Sequence, residues 1–293
     1  MMFRFLAMLM IALVLGLPTT VMPGIATAQT TAEEPIKDTA ADIALLSEAL
    51  MMHEVVVVMR DEGIEYGATL EEEMFPGRGG AEWTKIVGGI YNPATMRGRF
   101  DAQLTKELQK DPEAVAASLQ FFTSAQGKRI LSLELEARRA LRDDAAEEAA
   151  KVAVEDMIAN ADPRMEVLRR FAEANALIEL NVAGAMNANL SFYKGLDEGG
   201  AFGGEMTEDQ MLSDVWDQEA EVRGQTEEWV YSFLALAYAP LSDADMNAYQ
   251  AFSESEAGRR VNAALFAAYD SVFTPISRDL GLAAARRMQG DDI

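Results

Sequence analysis

Apolar residues recur at helical spacing along most of this chain, and the stops between the periodic stretches are well marked. Asn92-Pro93, Asp111-Pro112, Asp162-Pro163 and Thr274-Pro275 each set a good capping residue before a proline. At the first helical position the missing N–H costs nothing, and φ is already set for a helix. Thr207 with Gln210, and Ser242 with Asp245 in a shorter form, carry capping-box spacing. The pattern therefore predicts helices beginning near 93, 112, 163, 207, 243 and 275. The longest periodic stretch opens at Ser124, where Ile130, Leu133, Ala137, Leu141, Ala145, Ala149 and Val152 step by three or four onto one face. Asp143, Asp144, Glu147 and Glu148 fall largely off that stripe. Segment 38–61 is apolar nearly all round, which predicts a helix covered on several sides. Its four consecutive valines also suit a strand, but the Ala, Leu, Ser, Glu and Met before them favour helix. Irregular stretches are expected at 76–80 and 195–204. The fold class read from this pattern is all-α, a bundle of about eight to ten helices.

One signature occurs twice, 131 residues apart: Phe121-Phe122-Thr123-Ser124-Ala125-Gln126-Gly127-Lys128-Arg129-Ile130 and Phe252-Ser253-Glu254-Ser255-Glu256-Ala257-Gly258-Arg259-Arg260-Val261. Phe, Ser, Gly, a basic pair and a β-branched residue recur in register. The stripe that follows recurs too, with Val261, Ala264, Ala268 and Val272 standing where the first copy has Ile130, Leu133, Ala137 and Leu141. Over 32 aligned positions six residues are identical, so the shared pattern says more than the identity. The expectation is two related helical halves, 38–195 and 205–293. Ser124 and Ser255 are expected to accept a hydrogen bond from a backbone N–H of the first turn. Gly127 and Gly258 would let another helix approach closely, at about 1 kcal/mol of helix propensity. Phe121 and Phe252 would pack into the corner so formed.

The first 28 residues read as a targeting segment. Arg4 supplies a short positive region, Phe5 to Leu17 is almost unbroken apolar sequence too short for a comfortable span, and Ala26-Thr27-Ala28 gives the small-x-small pattern of a signal peptidase site. Cleavage is expected between Ala28 and Gln29, followed by a flexible lead over 29–37. The expected destination is the periplasm, with the processed chain soluble.

Charge narrows the partners. Lys plus Arg is 25 and Asp plus Glu is 48, a net of −23, and removing Arg4 with the signal takes it to −24. That balance repels nucleic acid and anionic lipid. The chain has no cysteine, which in an oxidising compartment removes disulfides, thiol nucleophiles and thiolate metal sites together. No cofactor loop is present, since neither a GxGxxG nor a Walker-type sequence occurs.

Candidate chemistry is sparse. His53 is the single histidine, and a lone imidazole on a mostly apolar helix reads as a hydrogen-bonded core or boundary residue. No second histidine completes a zinc-protease motif, and no Gly-x-Ser-x-Gly supports a serine hydrolase. Paired carboxylates such as Asp143-Asp144 and Glu147-Glu148 read as solvated helix faces. Asp243, Asp245, Asn247 and Glu254 fall at calcium-loop spacing, but Ala248 stands where the sharp turn needs glycine, so the segment reads as a helix N-terminus. Of seventeen methionines, five lie in the first 28 residues; the rest suit irregular core, or an adaptable apolar pocket. Trp83, Trp216 and Trp229 are open between anchors and core. No catalytic, cofactor-binding or metal-binding residue is assigned.

With Phe121, Ser124-x-x-Gly127 and Phe252, Ser255-x-x-Gly258 in view, the chain resembles bacterial exported proteins of the domain of unknown function 2059 family. Its match is best over 242–273 and looser over 111–142, where Gln126 and Lys128 also fit. The resemblance implies an exported α-helical protein and supplies no activity, ligand or catalytic residue. The expected function is a non-catalytic binding or scaffolding module of the envelope, with an unknown envelope protein or a small ligand as its partner. Its working surfaces are expected in grooves near Phe121 and Phe252. Two alternatives stay open: an enzyme with a carboxylate or Ser/Lys site in an interhelical cleft, and a carrier of an apolar ligand.

Overall fold

The computed structural model describes residues 39–290, so the expected signal peptide and lead lie outside the described residues. Those residues form thirteen helices and no strand. In chain order they are α1 (Thr39–Ala49), α2 (Met52–Met74), α3 (Gly80–Ile90), α4 (Pro93–Leu108), α5 (Pro112–Phe122), α6 (Ala125–Ala140), α7 (Asp144–Ala159), α8 (Pro163–Ala174), α9 (Leu177–Glu198), α10 (Glu208–Trp216), α11 (Glu219–Tyr238), α12 (Asp243–Ser253) and α13 (Glu256–Gln289).

Most of the starts follow their capping residues. Asn92 accepts from the N–H of Thr95, and Asp162 from that of Arg164. Thr207 with Gln210 and Ser242 with Asp245 each form a complete capping box. The calcium-like spacing at 243–254 is thus a helix N-terminus, as read. Thr274-Pro275 is the exception, for Pro275 lies inside the 34-residue α13. A mid-helix proline costs about 3 kcal/mol, but here Val272, Phe273, Ile276, Ser277 and Leu280 are all buried around it. Packing on several sides outweighs the local preference.

Two long segments divide where periodicity alone shows no break, which accounts for the larger helix count. Met51 takes a left-handed backbone, φ 58°, and separates α1 from α2. The break resets the register, so that Met52, Val56, Met59 and Tyr66 face inward while His53 and Val57 are exposed. His53 is therefore a surface residue, not a core or boundary one. The stripe beginning at Ile130 ends at Leu141, where Asp143 caps α7 by accepting from the N–H of Ala146. Beyond that point Ala150 and Val154 are buried and Ala145, Ala149 and Val152 are exposed.

α13 is the central element and packs most extensively on α9, then on α4. The crossing with α9 is backbone to backbone. A Cβ on Gly195 would lie 2.0 Å from the carbonyl oxygen of Arg278, and one on Gly281 would lie 2.2 Å from that of Phe192. Gly195 thus belongs to a helix crossing, and the irregular stretch begins only at Gly199. The main apolar cluster runs from Ile43 to Ala285, and Val182, Ala185 and Val222 form a small separate one. Among the described residues no helix is long and apolar enough to cross a membrane. Trp83 and Trp229 are core, whereas Trp216 is 67% exposed.

Candidate functional site

The two signature segments fold alike locally and meet face to face. α5 and α12 are each eleven residues long, and each is followed two residues later by the start of α6 or α13. Ser124 (φ −65°, ψ 161°) and Ser255 (φ −86°, ψ 161°) hold the same extended backbone at the junctions. Ser124 Oγ accepts from the N–H of Gly127 at 3.0 Å and donates to the carbonyl of Phe121 at 2.6 Å. Ser255 makes no such side-chain cap and is exposed, contrary to expectation. Gly127 and Gly258 are both buried. A Cβ on Gly127 would lie 2.2 Å from the carbonyl oxygen of Phe121, so the close approach it permits is that of the last turn of α5.

Phe121 and Phe252, the equivalent rings of the two segments, stack on each other with centroids 4.1 Å apart and planes 3° from parallel. Beside them, the equivalent arginines reach across in opposite directions. Arg129 donates to the carbonyl of Pro240 at 2.7 Å and lies 3.5 Å from Asp245, at the start of α12. Arg260 donates to Asp111, at the start of α5, at 2.6 Å, and to the carbonyl of Glu107, at the end of α4. Asp111 is thereby engaged by an arginine instead of capping its own helix.

The stacked phenylalanines open an aromatic cluster that leads inward. Phe121 stacks on Tyr249 at 5.7 Å, Tyr249 meets Phe171 at 4.9 Å and Tyr238 at 5.8 Å. Both phenols end on one group, donating to Oε1 of Glu134 at 2.7 Å each. Burial has the largest influence on that carboxyl and pushes its pKa up to about 6, while the two phenol hydrogen bonds pull the other way. Burial, and then the neighbouring Glu134 charge, hold both phenols protonated far above the usual tyrosine range.

Glu134 borders a partly open cavity of about 80 Å³ between α2, α6, α11 and α13. Its polar wall comprises Glu134, Arg138, Trp229 and Tyr269. Met52, Val55, Leu131 and Leu265 supply part of the apolar remainder. Arg138 donates to both oxygens of Glu62 at 2.9 and 2.7 Å. Burial works against the arginine's charge, but Glu62 more than offsets that. Trp229 is 7% exposed, stacks on Phe233 at 5.4 Å, and its buried indole N–H has no hydrogen-bond partner in the structure. Tyr269 Oη lies 3.5 Å from Met52 Sδ.

Equivalent positions face one another here as well. Glu134 corresponds to Leu265, and Arg138 to Tyr269, at the same 131-residue offset, and all four line the cavity. Of the six residues singled out in the sequence, the two phenylalanines and two glycines, with Ser124, build the junction that seats this site. Glu134, Arg138, Tyr238 and Tyr249 were not singled out. Their signal was a charged pair set into an apolar helix face in one segment only. The larger open grooves, of about 360 and 440 Å³, lie instead at Asp162, Arg164 and Asp243. Arg164 is committed there to Asp243 and to the carbonyls of Tyr238 and Leu241. No protein-family model matches the chain, and no curated protein or solved structure matches it either.

Proposed function

We propose that the chain is an exported, non-catalytic binding module of the bacterial envelope, with its recognition site in the cavity bordered by Glu134, Arg138 and Trp229. The observation that carries this reading is the carboxyl of Glu134, which lines the cavity and is held on one oxygen by Tyr238 and Tyr249. The rest of the wall is preformed, because Glu134 is fixed by two tyrosines and Arg138 by Glu62.

Export rests on the N-terminal segment and on the resemblance to exported helical proteins. The same reading takes α5–α6 and α12–α13 as copies of one ancestral hairpin. The equal lengths of α5 and α12, the constant offset and the reciprocal arginines support it.

One observation favours a carboxylate enzyme as the second reading: Glu134 has its proton affinity near neutrality and borders a cavity, as general acids and bases do. Against it, the residues lining the cavity include no second carboxylate and no serine or lysine. A carrier of an apolar ligand would need roughly 300 Å³ or more, against about 80 Å³ at Met51 and Met52.

Native mass spectrometry of the processed chain from a periplasmic extract tests the proposal. A small bound species that is lost in Glu134→Gln is expected. Processed chain that carries no adduct, and whose indole resonances ignore every small polar solute, would remove the binding reading.

A further inference from the structure

We infer that the cavity binds the primary ammonium end of an aliphatic amine, held by the open oxygen of Glu134. The inference rests on the binding reading above and names the ligand class. The carboxylate comes first. Both tyrosines donate to Oε1 of Glu134, which fills its two lone pairs. Oε2 receives no donor, yet it is not sealed from solvent, for Glu134 is half-buried and lines the partly open cavity.

One open oxygen selects among cations. A guanidinium uses both oxygens of a carboxylate in its two-point contact, and here Oε1 is taken. A hard divalent cation needs about six oxygen ligands, and Glu134 is the single carboxylate among the residues lining the cavity. An ammonium needs one oxygen for one N–H. Charge agrees with this choice. Arg138 is occupied by its two-point contact with Glu62, and among the described residues Glu134 has no ion pair of its own. The chain's net charge of −23 concentrates cations and repels anions at every approach to the site.

The aliphatic stem is read from the rest of the wall. Leu50, Met51, Val55, Leu131 and Leu265 line the cavity and offer methylenes an apolar surface. Because the cavity is partly open, it fixes the chemistry of the seated end and leaves the length of the stem free.

The test uses the full processed chain labelled with ¹³C at the methionine methyls, with Met51 and Met52 assigned through Met51→Leu and Met52→Leu. Butylammonium, butylguanidinium and 1-butanol are titrated at pH 7.5 while the two methyl signals are followed. Butylammonium is expected to shift them saturably, with a Kd on the order of 1 mM for so small a probe. Butylguanidinium, which lacks its second oxygen, and 1-butanol, which lacks the charge, are each expected to bind about tenfold more weakly. At pH 5 butylammonium should bind about tenfold more weakly than at pH 7.5, because Glu134, raised to about 6 by burial, must lose its proton to pair with it. The ionisable groups around Glu134 are Tyr238, Tyr249 and Tyr269, with Arg138 and Glu62 beyond. Glu134→Gln should remove both the preference for butylammonium over 1-butanol and its pH dependence, and a preference that survives there would overturn the inference. Either competitor binding as tightly as butylammonium would overturn the ammonium ligand while leaving a binding cavity. No shift with any probe would overturn both.

Discussion

Burial sets Glu134 apart from the many other carboxylates, and a pH experiment isolates it. Its carboxyl is raised from 4.5 to about 6 by burial, so between those values the folded chain keeps a proton that the unfolded chain has lost. Stability attached to this group is therefore fully present below pH 4.5 and is lost as pH rises through about 6. The ionisable groups facing it are Tyr238, Tyr249 and Tyr269, with Arg138 and Glu62 beyond. The loss is at most about 2 kcal/mol, which is what a rise from 4.5 to about 6 carries. Glu134→Gln cannot titrate, so its urea stability relative to the native chain should improve by up to that amount between pH 4.5 and 7. A constant difference across this range would contradict the buried, proton-retaining carboxyl. Glycines give a second contrast. Gly127→Ala drives a methyl onto the backbone of Phe121 and should cost about 3 kcal/mol. Gly224→Ala, in a helix with open space around it, should gain about 1 kcal/mol. Urea midpoints separate the two, and equal effects would contradict the close approach at Gly127. The glycine, its serine and the flanking phenylalanine were legible in the sequence because helix starts are written in local residues. Glu134 was harder to see, because its partners come from α11 and α12, more than a hundred positions away.

Elements were legible where a cap with a following proline, as at Asn92 and Asp162, or a capping box, as at Thr207, coincides with a change of period. They were misread where tertiary packing sets the boundary. Pro275 looks like a start, yet α13 runs through it because neighbouring helices enclose it. Met51 and Leu141 look like interior positions, yet the chain turns at both. The α9–α13 crossing carries a direct test. Gly195→Ala and Gly281→Ala each place a Cβ against the backbone of the other helix. Each should lower the unfolding free energy by about 3 kcal/mol. The double variant should lose less than the sum, because one separation of the helices relieves both clashes. Strict additivity in chemical denaturation would mean that the two helices do not approach at these residues.

At the scale of the molecule, the all-α class was readable from period, and two segments of like pattern from their offset. Their placement was not, because nothing in a linear pattern says that Phe121 and Phe252 stack, or that Arg129 reaches the start of α12 and Arg260 the start of α5. Everything at Glu134 depends on that seam. The stacked rings continue through Tyr249 to the carboxylate, and α6 and α13 bring Glu134, Arg138, Leu265 and Tyr269 to one cavity. A double-mutant cycle with Phe121→Ala and Phe252→Ala, measured by urea unfolding, tests the seam most directly. Rings in stacked contact predict a coupling of about 1 kcal/mol or more. Single effects that add to within about 0.3 kcal/mol would place the two segments apart and contradict the account.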